Sequence, residues 1–280
     1  LCLNVKYSKI LKLYYYIKPQ EVKYNDSTLC GVPLKLLNGT MRPQADQDDT
    51  WWFYLAKHHE VIFDIGCNIG YTALLALIQD PNRQIILVDP NPKALQKAAM
   101  NIIENGLGSR AQYHAAFVSD ALDQTVKFYT VGAGAAGSIH ASHAETAASM
   151  NSFMDVKTLT LDYLYSYYNL KPDLVKIDVE GAETMVMQGV KKLAKEAQCT
   201  FFIEMHNVED LGMEAAGQMM LDWCLENNYQ AWYLKTGELL GQAAKIKERG
   251  KCHLLLLPQD APFPEYLKGV KQNAPLPISV

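Results

Sequence analysis

From residue 61 onward the chain alternates short, almost wholly apolar runs with segments of helical period. Residues 61–65, 84–88, 111–115, 174–178 and 200–205 read as strands. Residues 71–78, 92–104, 160–168, 182–197 (broken near Gly189) and 214–227 read as helices. A strand with no polar alternation is buried on both faces, and the helices between such strands supply the crossovers that parallel pairing needs. The pattern therefore predicts an α/β fold, a parallel sheet covered by helices on both sides. Residues 229–234 and 252–257 follow one another without a comparable helix, which predicts a hairpin and hence one antiparallel strand near the C-terminus. Residues 126–130 form a further extended piece. The nearly uncharged stretch 132–150, rich in Gly, Ala, Ser and His, is expected to be a substrate loop or lid.

The first 45 residues differ in character and are expected to form an N-terminal extension packed on a main domain of residues 46–280. Residues 3–17 read as a short amphipathic helix or a strand. Residues 25–37 read as a strand pair with turn signals at Asn25-Asp26 and Asn38-Gly39. Asp46, Asp48 and Asp49 precede an apolar helix over 51–58 and suit its N-terminal dipole. The proline-spaced segment 258–277 reads as a surface tail.

Charge and cysteine usage narrow the class. With 26 basic and 30 acidic residues among 280, the net charge is −4, which does not favour a phosphate-rich partner. No apolar run approaches the roughly 20 residues that span a bilayer. The chain begins at Leu1, so a targeting segment upstream stays open. Cys2, Cys30, Cys67, Cys199, Cys224 and Cys252 form no C-x-x-C pair and match no zinc spacing. They read as buried thiols of a reduced, cytoplasmic protein.

The chemistry starts at the first strand–helix turn, Asp64-Ile65-Gly66-Cys67-Asn68-Ile69-Gly70. Ligands of open α/β sheets bind beyond the carboxyl ends of the strands. Gly66 and Gly70 permit tight turning, and Asn68 is a residue that tolerates positive φ. The spacing fits neither the dinucleotide fingerprint nor a P-loop. Asp89 closes the second strand about 20 residues further on, where a carboxylate accepts ribose hydroxyls in the dinucleotide-binding version of this architecture. Together these residues predict a nucleoside-containing cofactor. At the ends of the fourth and fifth strands, Asp178, Glu180, Glu204 and His206 converge near the same place. His206 is the first choice for a general base because its ordinary pKa lies near neutrality. Asp178 is the second, as base or orienter, and Glu180 is an alternative. Lys176 is expected to be an internal charge partner, and Glu183 a capping or surface group. Asp178, Glu204, His206 and Asn207 could also serve a hard divalent ion, but metal-free base catalysis ranks higher and no metal site is expected. His140 and His143 read as solvated loop residues.

Residues 61–77 (VIFDIGCNIGYTALLAL), 88–92 (VDPNP), 174–183 (LVKIDVEGAE) and 202–207 (FIEMHN) together resemble the FkbM-type methyltransferase family, with coverage of roughly residues 50–257. The resemblance implies a Rossmann-like class I methyltransferase sandwich with a mostly parallel seven-stranded sheet. It implies S-adenosyl-L-methionine as cofactor and a hydroxyl of a carbohydrate or secondary metabolite as acceptor. The cofactor contacts it implies are Asp64, Gly66, Asn68, Gly70, Asp89, Pro90, Asn91 and Ala116. Asp89 stands where the family often has Glu, and Cys67 where a small residue is common. The absence of a D/N-P-P-Y/F loop and of a Pro-Cys pair weighs against nucleic-acid acceptors. The alternatives are a catalytically inactive cofactor-binding module and, further off, a nucleotide-dependent oxidoreductase. Homodimerisation is left open.

Overall fold

The computed structural model describes residues 22–131, 137–140, 144–208 and 210–280. The expected element at 3–17, Cys2 and His143 lie outside them. A hairpin, β1 (Tyr24–Leu29) and β2 (Val32–Leu37), comes first, followed by helix α1 (Asp49–Lys57). The alternating region then runs β3 (Val61–Ile65), α2 (Tyr71–Leu77), β4 (Gln84–Val88), α3 (Pro92–Glu104), β5 (Ala111–His114), β6 (Phe117–Val118) and β7 (Thr125–Tyr129). It continues through a short helix α4 (Glu145–Ser149), β8 (Phe153–Leu159), α5 (Leu161–Tyr168), β9 (Leu174–Ile177), α6 (Glu183–Gln188), α7 (Lys192–Ala197), β10 (Thr200–His206) and α8 (Met213–Asn227). The last strands are β11 (Tyr229–Tyr233), β12 (Glu238–Leu239) and β13 (Lys251–Pro258).

The main sheet has the order β12-β11-β13-β10-β9-β3-β4-β5. Strands β5, β4, β3, β9 and β10 pair in parallel, as their continuous apolar content predicts. Strand β13 is wedged between β10 and β11 and runs antiparallel to both. The sheet thus has eight strands rather than seven, the extra one being the two-residue β12 on the outer edge. Two hydrophobic cores cover the two faces. Phe63, Ile65, Val175, Ile177, Phe201 and Ile203 face one, and Ile62, Leu174, Phe202 and Leu255 face the other.

Strand alternation decides where the charges go. Residues two apart share a face, so Asp64, Lys176, Glu204 and His253 continue the rows begun by Ile62, Leu174, Phe202 and Leu255. Asp64 pairs in register with Lys176, Glu204 with His253, and His206 with Lys251. The apolar rows end in a line of charges at the carboxyl edge of one sheet face.

Three features differ from the sequence reading. The hairpin turn falls at Cys30-Gly31, not Asn25-Asp26: both turn residues take positive φ (46° and 79°), the requirement of a two-residue hairpin turn, and Asn25-Asp26 lie within β1. Strand β8 carries no continuous apolar run. It builds a small three-stranded sheet with β6 and β7, and its exposed and part-buried residues alternate. The C-terminal segment is not merely a surface tail. Leu267 is buried, the Trp51 indole N–H donates to Val270 O at 3.0 Å, and Tyr266 stacks on His58. The N-terminal hairpin docks on α3, where Asn101 and Asn105 side chains accept from the Leu37 and Lys35 N–H groups, both at 2.8 Å. The five described cysteines are buried and free. No helix of the described residues is long and apolar enough to cross a membrane.

Candidate active site

A cavity of about 280 Å³ opens at the carboxyl ends of β3, β4, β9 and β10, the edge on which an α/β sheet of this kind places its ligands. Its floor is the β3–α2 turn. Gly66 takes φ 83°, and a Cβ there would lie 1.7 Å from the carbonyl oxygen of Asp178, so only glycine lets the two strand ends meet. Asn68 takes φ 46°. Gly70 (φ 82°) starts α2 but does not line the cavity. A Cβ on it would sit 2.8 Å from that of Ala98, so its role is close helix packing. Asp64 is fully buried beneath the turn and is likewise not on the cavity wall. Its Oδ2 accepts from the Thr72 hydroxyl at 2.7 Å, and its Oδ1 lies 3.9 Å from the Lys176 ammonium.

Gly66, Asn68, Asp89, Pro90, Asn91 and Ala116 all line the cavity. Asp89 is held in place by its neighbours: Asn68 N–H donates to Oδ2 and Asn91 N–H to Oδ1, each at 2.8 Å. Burial lifts its carboxyl to about 6 against the pull of those two donors. Its fixed carboxylate still has acceptor capacity, since each oxygen carries two lone pairs. Next to it Phe117, Val118 and Phe128 give the wall an apolar section. These residues suit a nucleoside: a rigid acceptor for ribose hydroxyls, a slot for a flat ring, and a backbone turn that a ligand can approach closely.

The opposite wall carries the charges. Lys176, almost wholly buried, donates to Asp178 Oδ2 at 3.1 Å. Burial alone would favour its neutral amine, but Asp178 and Asp64 outweigh that and keep it charged. Glu204 is buried and pairs with Lys251, with His253 Nε2 at 3.5 Å. Burial would raise its carboxyl, yet His253, His206 and Lys251 together pull it below the usual carboxylate range. Glu180 has φ 52°, uncommon for a side-chain-bearing residue. Its carbonyl accepts from the Ser138 hydroxyl at 2.7 Å, and burial raises its carboxyl. Asp178, Glu180, Glu204, Lys176 and Lys251 line the cavity.

His206 stands behind this wall, at the end of β10 and off the cavity lining. Its Nδ1 lies 2.8 Å from Glu183 Oε1, and its Nε2 lies 3.5 Å from Glu180 and 3.8 Å from Glu204. Burial opposes its charge, but Glu183, Asp178 and Glu180 more than compensate and bring it up to about 9. Glu183 is not a surface group: it is buried, and its Oε1 also accepts from Gly181 N–H at 3.0 Å. It thereby ties the β9–α6 loop to β10. The Asp46–Asp49 cluster also does more than complement a helix dipole. No side-chain cap bond forms at Asp48, which is buried 3.9 Å from His253.

Asp178, Glu204 and His206 bring donor atoms within 4.8 Å of one another, as do Asp48, Glu204 and His253. Such sets can hold a cation, but here Lys176 already neutralises Asp178, and Lys251 neutralises Glu204.

Cavity residues absent from the motif reading come from two sources. Phe117 and Val118, just past the third strand of the alternation, could have been found as an apolar pair in a cofactor position. Thr40, Arg42 and Lys251 come from segments with no local signature.

The family profile of the "Methyltransferase FkbM domain" matches residues 64–231. No curated protein sequence matches the chain. Among solved structures, the chain is similar to a methyltransferase FkbM from Methylobacillus flagellatus, at 13% identity and a TM-score of 0.43. That match covers 71% of this chain and 44% of the other, so this chain spans less than half of that protein's length. It is also similar to a SAM-dependent methyltransferase from Agrobacterium tumefaciens (9% identity, TM-score 0.46, 87% and 72% of the two chains). A third is a putative rRNA-methylase from Clostridium thermocellum (9% identity, TM-score 0.48, 79% and 100% of the two chains).

Proposed function

The chain belongs to the FkbM methyltransferase family, and from that premise we propose that it methylates a hydroxyl group of a carbohydrate or secondary metabolite. S-adenosylmethionine, the cofactor of this enzyme class, supplies when bound a methyl group made electrophilic by its sulfonium. Everything else falls to the chain's own residues. Asp89 would accept the ribose hydroxyls, the Gly66–Asn68 backbone would let the cofactor approach, and Phe117, Val118 and Phe128 would flank the adenine.

A neutral hydroxyl becomes a competent nucleophile when a positioned base takes its proton. The sequence pointed first to His206, but an imidazole brought up to about 9 is already protonated near neutral pH. We therefore assign the proton to Glu180 Oε. Glu180 lines the cavity, burial raises its carboxyl above the ordinary range, and the imidazolium of His206 lies 3.5 Å away to hold the side chain in place. Asp178, fixed by Lys176, orients the acceptor hydroxyl. The observation that carries this reading is the convergence of the glycine turn, Asp89 and the Asp178–Glu180 pair on one cavity. Its polar far wall suits a hydroxyl-rich acceptor, and the net charge of −4 does not favour a polyanion.

The test is methyl transfer from labelled S-adenosylmethionine over a panel of glycans and hydroxylated metabolites. Glu180→Gln should lower turnover by at least about 100-fold while leaving affinity for S-adenosylhomocysteine within about twofold. Unchanged turnover would remove Glu180 from the mechanism, and transfer to none of the hydroxyl acceptors would overturn the acceptor class.

A further inference from the structure

The cavity lining has two chemically distinct parts besides Asp89. One is the apolar section around Phe117 and Phe128. The other is built by the segment between the N-terminal hairpin and α1, with Thr40, Arg42 and Asp46, against the first turn of α2, with Tyr71 and Thr72. Of these residues Thr40, Arg42 and Asp46 precede those that the family profile matches. This part carries an ion pair unlike the buried one beneath the glycine turn. Lys176 and Asp64 are buried and locked into their contacts, whereas Arg42 and Asp46, 3.7 Å apart, have side chains 35% and 47% exposed.

The guanidinium is nevertheless positioned. Its Nη1 donates to Asp49 Oδ1 at 2.7 Å, and its Cζ lies 4.5 Å from the ring centroid of Tyr71, the residue that follows the glycine turn. Asp49 is fully buried, and its other oxygen accepts from Asp46 N–H at 2.7 Å, so one anchor sets both Arg42 and the backbone of Asp46. An arginine has five N–H donors in a rigid fork that matches a carboxylate. A fixed guanidinium with a carboxylate at its side is the complement of a zwitterion, an α-carboxylate next to an α-ammonium.

We propose that Arg42 and Asp46 form the subsite for the zwitterionic amino-acid tail of the methyl donor, Arg42 taking its carboxylate and Asp46 its ammonium. This rests on the reading of the chain as an S-adenosylmethionine-dependent enzyme, and it places the recognition of half of that cofactor in the N-terminal segment rather than in the matched domain. Calorimetry with two ligands isolates the subsite. S-adenosylhomocysteine carries the tail, and methylthioadenosine carries the same nucleoside without it. Arg42→Met keeps an apolar stem over Tyr71 and should weaken S-adenosylhomocysteine by about 10- to 100-fold, the loss expected for a charge-assisted pair. Methylthioadenosine should change by less than about twofold, which also certifies that the pocket is folded. Arg42→Lys should fall between the wild type and Arg42→Met. Asp46→Asn should cost S-adenosylhomocysteine about 3- to 10-fold, again sparing methylthioadenosine. Equal losses for both ligands, or no loss for S-adenosylhomocysteine, would overturn the subsite. A wild-type protein that binds neither ligand would overturn the cofactor reading together with it.

Discussion

The assignment of the base turns on the charge state of His206, and Glu183→Gln probes it directly. The imidazole moves from its ordinary 6.5 to about 9, which at about 1.4 kcal/mol per tenfold is about 3 kcal/mol in favour of the charged form. Glu183 is the largest contributor opposing the burial cost, through a 2.8 Å contact between two buried groups. Replacing its carboxylate by an amide keeps the shape and removes the charge, so the His206 titration should drop toward neutrality. Nuclear magnetic resonance of the histidine ring protons reads this directly, with His206→Gln identifying the resonance. Stability gives a second readout whose sign is fixed. A group whose pKa is raised on folding stabilises the fold fully below its unfolded value, and that stabilisation is lost as pH rises through the folded value. Urea unfolding of the wild type should therefore weaken between about pH 6.5 and about pH 9 by up to about 3 kcal/mol, and the window should narrow in Glu183→Gln. A wild-type His206 that titrates at or below 6.5 would refute the reasoning: the imidazole would be neutral at working pH and Glu180 would lose its claim as base.

Gly66→Ala would put a methyl group 1.7 Å from the Asp178 carbonyl at a positive φ, so it should abolish S-adenosylhomocysteine binding and lower the melting temperature; a variant that binds normally would contradict the turn geometry. The Asp89 carboxyl, lifted to about 6, should make cofactor affinity level above pH 7 and about tenfold weaker for each pH unit below 6. Affinity that stays flat in calorimetry down to pH 5 would show that the ionised carboxylate is not the acceptor. Trp52 is fully buried, donates to Thr72 O at 2.9 Å and stacks on Phe202, so Trp52→Ala should cost about 3–5 kcal/mol in denaturant unfolding. A loss below about 1 kcal/mol would mean that α1 is not integral to the core.

The parts of the fold that were legible are those where one physical demand fixes the residue type. A strand buried on both faces has to be apolar, so β3, β4, β9 and β10 could be read directly, and a turn that lets two strand ends meet has to carry glycine, so Gly66 stood out. Acidic residues and a histidine directly after apolar runs marked the active edge. What could not be read depends on partners far apart in the chain. Lys251 and His253 reach the site only because β13 inserts beside β10, and Arg42 is set over the ring of Tyr71, beyond the next strand. The charge of His206 was hidden for the same reason: Glu183, 23 residues away, sets it. Strand β8 escaped because an exposed small sheet asks for alternation rather than for a continuous apolar run.

The wedged position of β13 bears on how this enzyme comes into being. The strand is among the last elements along the chain, yet it sits inside the sheet, with β10 on one side and β11 on the other. During synthesis β10 must wait with an open hydrogen-bonding edge, and β11 with only the two-residue β12 beside it, until residues 251–258 have emerged. A sheet completed by such a distant pairing folds late and slowly. The same strand delivers Lys251, which neutralises Glu204. Until it arrives, the nascent site holds a surplus of carboxylates that repel one another, so the act that closes the sheet is also the act that balances the charges of the active edge.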